Sequence, residues 1–202
     1  MATSNNINSS STVLAMTNSG VVNRTIAGTA NQISVSNGDG ISGNPTLALT
    51  STIQVSGISF DSGSNTLSAY STGTFTPTIT GSSSNPTVTY VANGQVGTYT
   101  KIGSKVFTSF YVAISLTIGG SGDLRISGLP FTSLSTTNSD SSGPLIAGSV
   151  NLTSINYLQT SMVPNVTYAN ILASTTGSAI ANFQIGVITS STVLEGSLCY
   201  NI

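Results

Sequence analysis

Lys105-Val-Phe-Thr-Ser-Phe-Tyr-Val-Ala-Ile-Ser-Leu-Thr-Ile118 carries the clearest periodicity in the chain. Val106, Phe110, Val112, Ile114, Leu116 and Ile118 fill the even positions with large apolar side chains, and Thr108 joins them. The odd positions Ser109, Ala113, Ser115 and Thr117 are small or polar, with Phe107 and Tyr111 the exceptions. A period of two over this length predicts a β-strand with one buried face. Leu124 and Ile126 continue the alternation. Gly128 breaks it before Leu129-Pro130-Phe131, which predicts a bulge or strand end there.

Working outward, Thr87-Val-Thr-Tyr-Val-Ala92 runs into Asn93-Gly94 and then Gln95-Val-Gly-Thr-Tyr-Thr100. Asn-Gly between alternating segments predicts a hairpin turn, because both turn positions favour positive φ. Further strands are expected over Leu145–Leu152, Val166–Leu172, Phe183–Ile188 and Leu194–Ile202. Thr132–Gly143, built from Ser, Thr, Asn and Asp, reads as a long exposed loop, and Gln159–Pro164 is loop-like. Helix formers are scarce. Several short strands separated by turn residues predict a sandwich or jelly roll over residues 73–202.

Composition narrows the chemistry. Of 202 residues only four are Lys or Arg and five Asp or Glu, with no His and no Trp. A soluble domain is ordinarily about a quarter charged. Arg24, Lys101, Lys105 and Arg125 are too few and too scattered to neutralise a phosphate track, so nucleic acid is not an expected partner. A mean hydropathy of +0.27 excludes bulk disorder. No stretch approaches the ~20 apolar residues of a membrane span, so no membrane insertion is expected. Met1-Ala-Thr-Ser-Asn-Asn lacks the basic and apolar regions of a secretory signal. The lone Cys199 allows no intrachain disulfide and reads as a small apolar residue of a terminal strand.

The first 72 residues differ from the rest. Ile33-Ser-Val-Ser-Asn-Gly-Asp-Gly-Ile-Ser-Gly-Asn-Pro-Thr-Leu-Ala-Leu49 and Ile58-Ser-Phe-Asp-Ser-Gly-Ser-Asn-Thr-Leu-Ser-Ala-Tyr70 form an approximate repeat of strand, Gly/Asn/Asp turn and strand. Such short strands with so few large side chains cannot close a core within one chain. Two lysines and six prolines are also few with which to blunt the edges of so many strands. Both observations favour a homotrimer whose edges close between identical chains. The expected organisation is 1–72 as a neck or shaft and 73–202 as a head.

Gly28-Thr-Ala-Asn-Gln-Ile-Ser-Val-Ser-Asn-Gly-Asp-Gly-Ile-Ser-Gly-Asn-Pro-Thr-Leu-Ala-Leu49 resembles the neck repeat of bacteriophage tail fibres. Gly73-Thr-Phe-Thr-Pro-Thr-Ile79, Gly97-Thr-Tyr-Thr-Lys-Ile-Gly103, Gly122-Asp-Leu-Arg-Ile-Ser-Gly-Leu-Pro-Phe131 and Gly196-Ser-Leu-Cys-Tyr200 are similar to the C-terminal head of such fibres. The segments cover most of residues 20–202. The resemblance implies an all-β virion protein with an intertwined trimeric β neck and a jelly-roll-like β-sandwich head. It also implies a host-cell surface glycan or protein as receptor, and other virion fibre or tail proteins as neighbours. No virion-attachment segment is evident, which leaves a fragment, a short fibre or a distal subunit as options.

Chemistry-bearing motifs are few. Gly38-Asp-Gly-Ile-Ser-Gly43 matches G-x-G-x-x-G, but Asn44-Pro45 and a β pattern follow where a dinucleotide site requires a helix. Asp39, Asp61, Asp123, Asp140 and Glu195 form no close pair in sequence, whereas glycoside hydrolysis wants two facing carboxyls. Without His, neither a Ser-His-Asp triad nor a His metal site can form. The reading is no enzyme, no cofactor and no metal ligand set, with Ca²⁺ or another hard cation on carbonyl and carboxylate oxygens left open. Sugar binding uses aromatic faces with planar amides and carboxylates. The candidate receptor-binding residues are therefore Tyr157, Tyr168, Asn138, Asp140, Asn156 and Gln159, with Tyr111 a further aromatic to test. The leading expectation is a fibre tip that binds a polysaccharide without catalysis. A purely structural spike or decoration subunit is the alternative, and a polysaccharide depolymerase is third.

Overall fold

The computed structural model describes residues 13–17, 20–39, 42–55, 57–59, 66–67, 69–150 and 155–202. The chain divides into two compact units, Met1–Ser64 and Asn65–Ile202. In the first, β1 (Val13–Thr17) pairs antiparallel with β2 (Gly20–Arg24), and β3 (Ile33–Ser36) with β4 (Thr46–Leu49). Asn31 and Asn37 turn the chain with positive φ, and a side-chain bond of 2.8 Å joins Asn31 to Gln54. β5 (Ile58–Ser59) is its last strand. No described side chain from 25 to 59 is buried, and Leu47, Leu49, Val55 and Ile58 stand exposed.

The second unit contains β6 (Thr66–Leu67), β7 (Tyr70–Phe75), β8 (Thr78–Gly81), β9 (Thr87–Ile102), β10 (Lys105–Ile118) and β11 (Leu124–Ser127). β12 (Ser141–Gly148), β13 (Ile155–Met162), β14 (Tyr168–Thr175), β15 (Ala181–Asn182) and β16 (Val193–Asn201) complete it, with one 3-10 turn at Ile185–Val187. A single antiparallel sheet runs β7-β9-β10-β16-β12-β13-β14-β11-β8, with β15 beside β14. The sheet curls so that its two halves face each other. Phe110, Val112, Ile114 and Leu194 of one half share a core with Ile79, Leu124, Ile126 and Ile171 of the other. Each such buried side chain contributes ~1.5–3 kcal/mol.

Two prolines mark the places where the curl turns. Ser141–Pro144 of β12 pairs with β13, and Leu145–Gly148 pairs with β16, so one strand serves both halves. Pro144, lacking an N–H, sits at the changeover. The fully buried Thr160 donates its hydroxyl to Gly143 O at 3.1 Å there. On the other side only Thr76-Pro77 separates β7 from β8, which lie at opposite ends of the strand order. Tyr90 and Gln95 of β9 tie that junction, through Ile79 N–H to Tyr90 Oη and Gln95 Nε2 to Pro77 O, both 2.9 Å.

β10 spans the expected residues, and its even positions from Val106 to Ile114 are buried as read, whereas Ala113, opposite the β9 bulge, is buried as well and Leu116 and Ile118 are exposed at the far end. Gly128 ends β11 with φ 86°. Six expectations are corrected. Asn93-Gly94 is not a hairpin turn: β9 runs straight through it, and Val91–Gly94 bulges opposite Ala113, Asn93 taking φ 58°. The hairpin turns instead at Gly103-Ser104, between Ile102 and Lys105, where Gly103 has φ 60°. Phe183–Ile188 is not a strand but a buried plug around the 3-10 turn, with Phe183, Ile185 and Ile188 sealing the core. Thr132–Gly143 and Gln159–Pro164 are not wholly loops, since Ser141–Gly143 belongs to β12 and Gln159–Met162 to β13. Ser133, moreover, is buried and bonded to Val163 O and Val166 O. The expected strands at Leu145–Leu152 and Val166–Leu172 are displaced to β12 and β14, and residues 151 and 152 lie outside the described residues.

Val106, Leu129, Met162, Ala169, Leu198 and Tyr200 form a second cluster. The Tyr200 ring is fully buried, and its hydroxyl meets Phe131 O at 3.2 Å and Phe131 N–H at 3.3 Å. Burial pushes this phenol from 10.0 up to about 12, the backbone bond opposing. The folded state thus holds a proton that the unfolded chain releases first. Its stabilising effect is complete below pH 10.0 and is lost as the pH rises toward about 12. The urea midpoint is expected to fall across that window, and to fall less in Tyr200→Phe. That variant should already be about 1–2 kcal/mol weaker at neutral pH, because Phe131 loses its partner.

Candidate functional site

The two halves of the sheet present outer faces of opposite chemistry. On β7-β9-β10-β16-β12 the residues alternating away from the core are Tyr70, Thr72, Thr74, Val96, Thr98, Thr100, Ile102, Lys105, Phe107, Ser109, Tyr111, Glu195, Ser197, Cys199 and Ile146. Register sets Phe107 opposite Thr100 and Cys199, and Glu195 between Tyr111 and Ile146. Tyr70 is 63%, Ile146 69% and Phe107 46% exposed, and Val96 and Ile102 are also exposed. Shallow grooves of about 300 and 330 Å³ flank Pro144 on this face, lined by Ser109, Ile146 and Phe107 among others. Lys105 and Glu195 are its charged residues, at opposite ends of the β10–β16 ladder. The face is apolar, hydroxyl-rich and nearly uncharged.

On β13-β14-β11-β8 the outward residues are Tyr157, Gln159 and Ser161, then Tyr168, Asn170, Leu172 and Ser174, then Arg125 and Ser127, then Thr78 and Thr80. Hydroxyl, amide and phenol groups dominate here. Tyr157 Oη donates to Gln159 Oε1 at 3.0 Å, so two of the sequence-predicted residues form one unit at one end of β13. Asn156, beside the β13 bulge, bonds Thr176 Oγ1 at 3.1 Å. Tyr168 occupies the same outer face at the other end. With Tyr157 opposite Ser174, the two tyrosines lie about 20 Å apart along the strands.

Asn138 and Asp140 are exposed in the loop before β12, Asn138 with φ 62°. Ser141 pairs with Met162, which sets this loop at the opposite end of β13 from Asn156 and Tyr157. The six residues therefore fall into two groups rather than one cluster. Tyr111 is half-buried on the other, apolar face.

Arg125 was not among the residues singled out on sequence. Its guanidinium carbon lies 4.2 Å from the Tyr168 ring centroid, and its Nε donates to Asn170 Oδ1 at 3.0 Å. The sequence signal was the run Leu124-Arg-Ile-Ser127, whose alternation buries Leu124 and Ile126 and turns Arg125 outward.

The carboxylates are dispersed. Asp123 accepts from Asn182 Nδ2 and Gln184 Nε2, both at 2.8 Å, one on each oxygen. Glu195 lies on the apolar face and Asp140 in the loop, while Asp61 lies outside the described residues. Of Gly38–Gly43, Gly40 and Ile41 also lie outside them, and the flanking segments are β3 and β4. Among the described residues no helix is long and apolar enough to cross a membrane.

No family model matches the chain, and no curated protein matches it. Among solved structures, it is similar to the crystal structure of Dettilon tailspike protein, at 20% identity and a TM-score of 0.48. That match covers 64% of this chain and 23% of the tailspike chain.

Proposed function

We propose that this chain is a non-catalytic binding module of a virion, a phage tail fibre tip that holds a host-cell surface polysaccharide as a homotrimer. The observation that carries the reading is the division of the outer surface. One half-sheet offers an apolar, nearly uncharged face suited to another copy of the chain. The other offers tyrosines, amides and hydroxyls suited to sugar rings. The neck and head motifs quoted above support the fibre reading and its jelly-roll-like head. The first unit, whose described side chains from 25 to 59 include none that is buried, supports a partner of the same kind.

Binding needs no acid–base chemistry. Tyrosine faces stack on sugar rings, amides bond hydroxyls, and three modest sites on one axis give avidity. Asp123, with both oxygens held by amides, serves as a tie between β11 and Asn182–Gln184 rather than as a proton donor. The test is adsorption of the purified chain to a panel of bacterial cells. Wild type is expected to bind some strains, and Tyr157→Ala is expected to lower the bound fraction about tenfold or more, since ~1 kcal/mol per site compounds over three sites. An assembled protein that adsorbs to none would instead favour the structural subunit, and release of reducing ends from bound polysaccharide would favour a depolymerase.

A further inference from the structure

Arg125 is one of four cationic side chains in 202 residues, and two neighbours on β14 contact it. Asn170 fixes Nε from β14, and Tyr168, two residues earlier on the same face, supports the guanidinium plane at 4.2 Å. Among the described residues no carboxylate forms an ion pair with it. With Nε occupied and one face stacked, the end-on pair Nη1 and Nη2 remains, four N–H donors in the fork that matches a planar carboxylate. A mobile surface arginine loses much rotamer freedom on binding. This one already has Nε bonded and its guanidinium against a ring, so less freedom is left to lose on a single charge-assisted contact.

The neighbours are neutral. Ser127 Oγ and Thr80 Oγ1 share a bond of 2.6 Å beside it, and Ser161 lies opposite Asn170 on β13. Hydroxyls and amides of this kind meet the hydroxyls of a sugar ring, not a second charge. We infer that Arg125, supported by Tyr168 and Asn170, is a subsite for the carboxylate of an acidic sugar in the bound polymer. This rests on the binding-module reading and names the class of its ligand. A purely structural arginine would tie β11 to β14 equally well but would bind no small acid.

The test uses the full chain labelled with [¹⁵N]arginine, in which Arg24 and Arg125 give the two Nε–Hε signals and Arg125→Gln assigns them. Sodium glucuronate is titrated at constant ionic strength, with glucose and inorganic phosphate as separate arms. The expected result is a saturable millimolar shift of the Arg125 signal with glucuronate and none with glucose. Asn170→Asp, which supplies an internal carboxylate, should weaken glucuronate about tenfold, and Arg125→Lys, which keeps the charge without the fork, should do the same. No saturable shift, or an equal one with glucose, overturns the inference. Tighter binding of phosphate than of glucuronate overturns the assignment to an acidic sugar. In the cell assay, unchanged adsorption of Arg125→Gln overturns the subsite and leaves the binding module standing. Failure of wild type to adsorb overturns the binding module, and the titration alone then decides the subsite.

Discussion

Gly143→Ala is expected to remove most of the stability of the second unit, about 3 kcal/mol or more out of the 5–15 typical of a domain. Gly143 lies one residue before the point at which β12 leaves β13 for β16. A Cβ there would land on the Ser197 carbonyl oxygen and approach Thr160 Oγ1 to 3.0 Å. Neither neighbour can give way. The Ser197 carbonyl belongs to β16, whose ladder with β10 closes one half of the core, and Thr160 is fully buried and bonded to Gly143 O. The alanine must push β16 and β13 apart where the two halves join. Gly148→Ala, in the same strand, is the control. Its Cβ would meet only Val193 Cβ at 3.8 Å, an ordinary contact, and its effect should stay within about 0.5 kcal/mol. Urea unfolding followed by far-ultraviolet circular dichroism reads both. Equal midpoints for the two variants would refute the view that β12 is pinned at this corner.

The corner was not legible in the sequence, and the reason is physical. Ser141-Ser-Gly-Pro144 has the composition of a turn, and only the partners on either side make it a strand. Asn93-Gly94 misled in the same way. A residue at positive φ beside glycine suits a hairpin and a bulge equally, and the difference lies in whether β10 continues alongside. β13 was hidden because its inward row is Leu158, Thr160 and Met162, with a hydroxyl at the centre, so the apolar alternation is broken where the corner needs a hydrogen bond. β10 and β11 were legible because their inward residues answer only to the core. Of the candidate site, Tyr157 and Gln159 were legible by their side-chain chemistry beside a segment read as a loop, and the period of two that places them on one face comes only with β13 itself. Arg125 was not, since nothing in the sequence links position 125 to 168 and 170 before the β11–β14 register is known.

Replacing Phe107 and Ile146 together by aspartate is expected to open the face on which copies of the chain are proposed to meet, with little effect on the fold of each. Both side chains point away from the core, 46% and 69% exposed, so neither substitution leaves a cavity. In the assembly the carboxylate at 146 would be buried without a partner, since Lys105, the cation of this face, pairs in register with Ile102 and Asn201 at the remote end of the ladder. The carboxylate at 107 lies two residues from Lys105 on the same strand face and carries the smaller penalty. An unpaired buried carboxylate costs several kcal/mol at each contact, more than a shallow apolar face returns. Cys199 supplies the local readout. It is the single cysteine, half-buried on the same face and directly opposite Phe107, so a covering copy shields it. Wild type should show a slow thiol and a mass near three times 20.4 kDa. The double variant should show a thiol faster by about tenfold or more, even if the first unit alone keeps the chains together. A wild-type thiol that already reacts freely, at a rate the two aspartates leave unchanged, would sink the interface. It would also return the apolar face to solvent, where an uncharged patch of tyrosine, phenylalanine and isoleucine has no physical reason to persist.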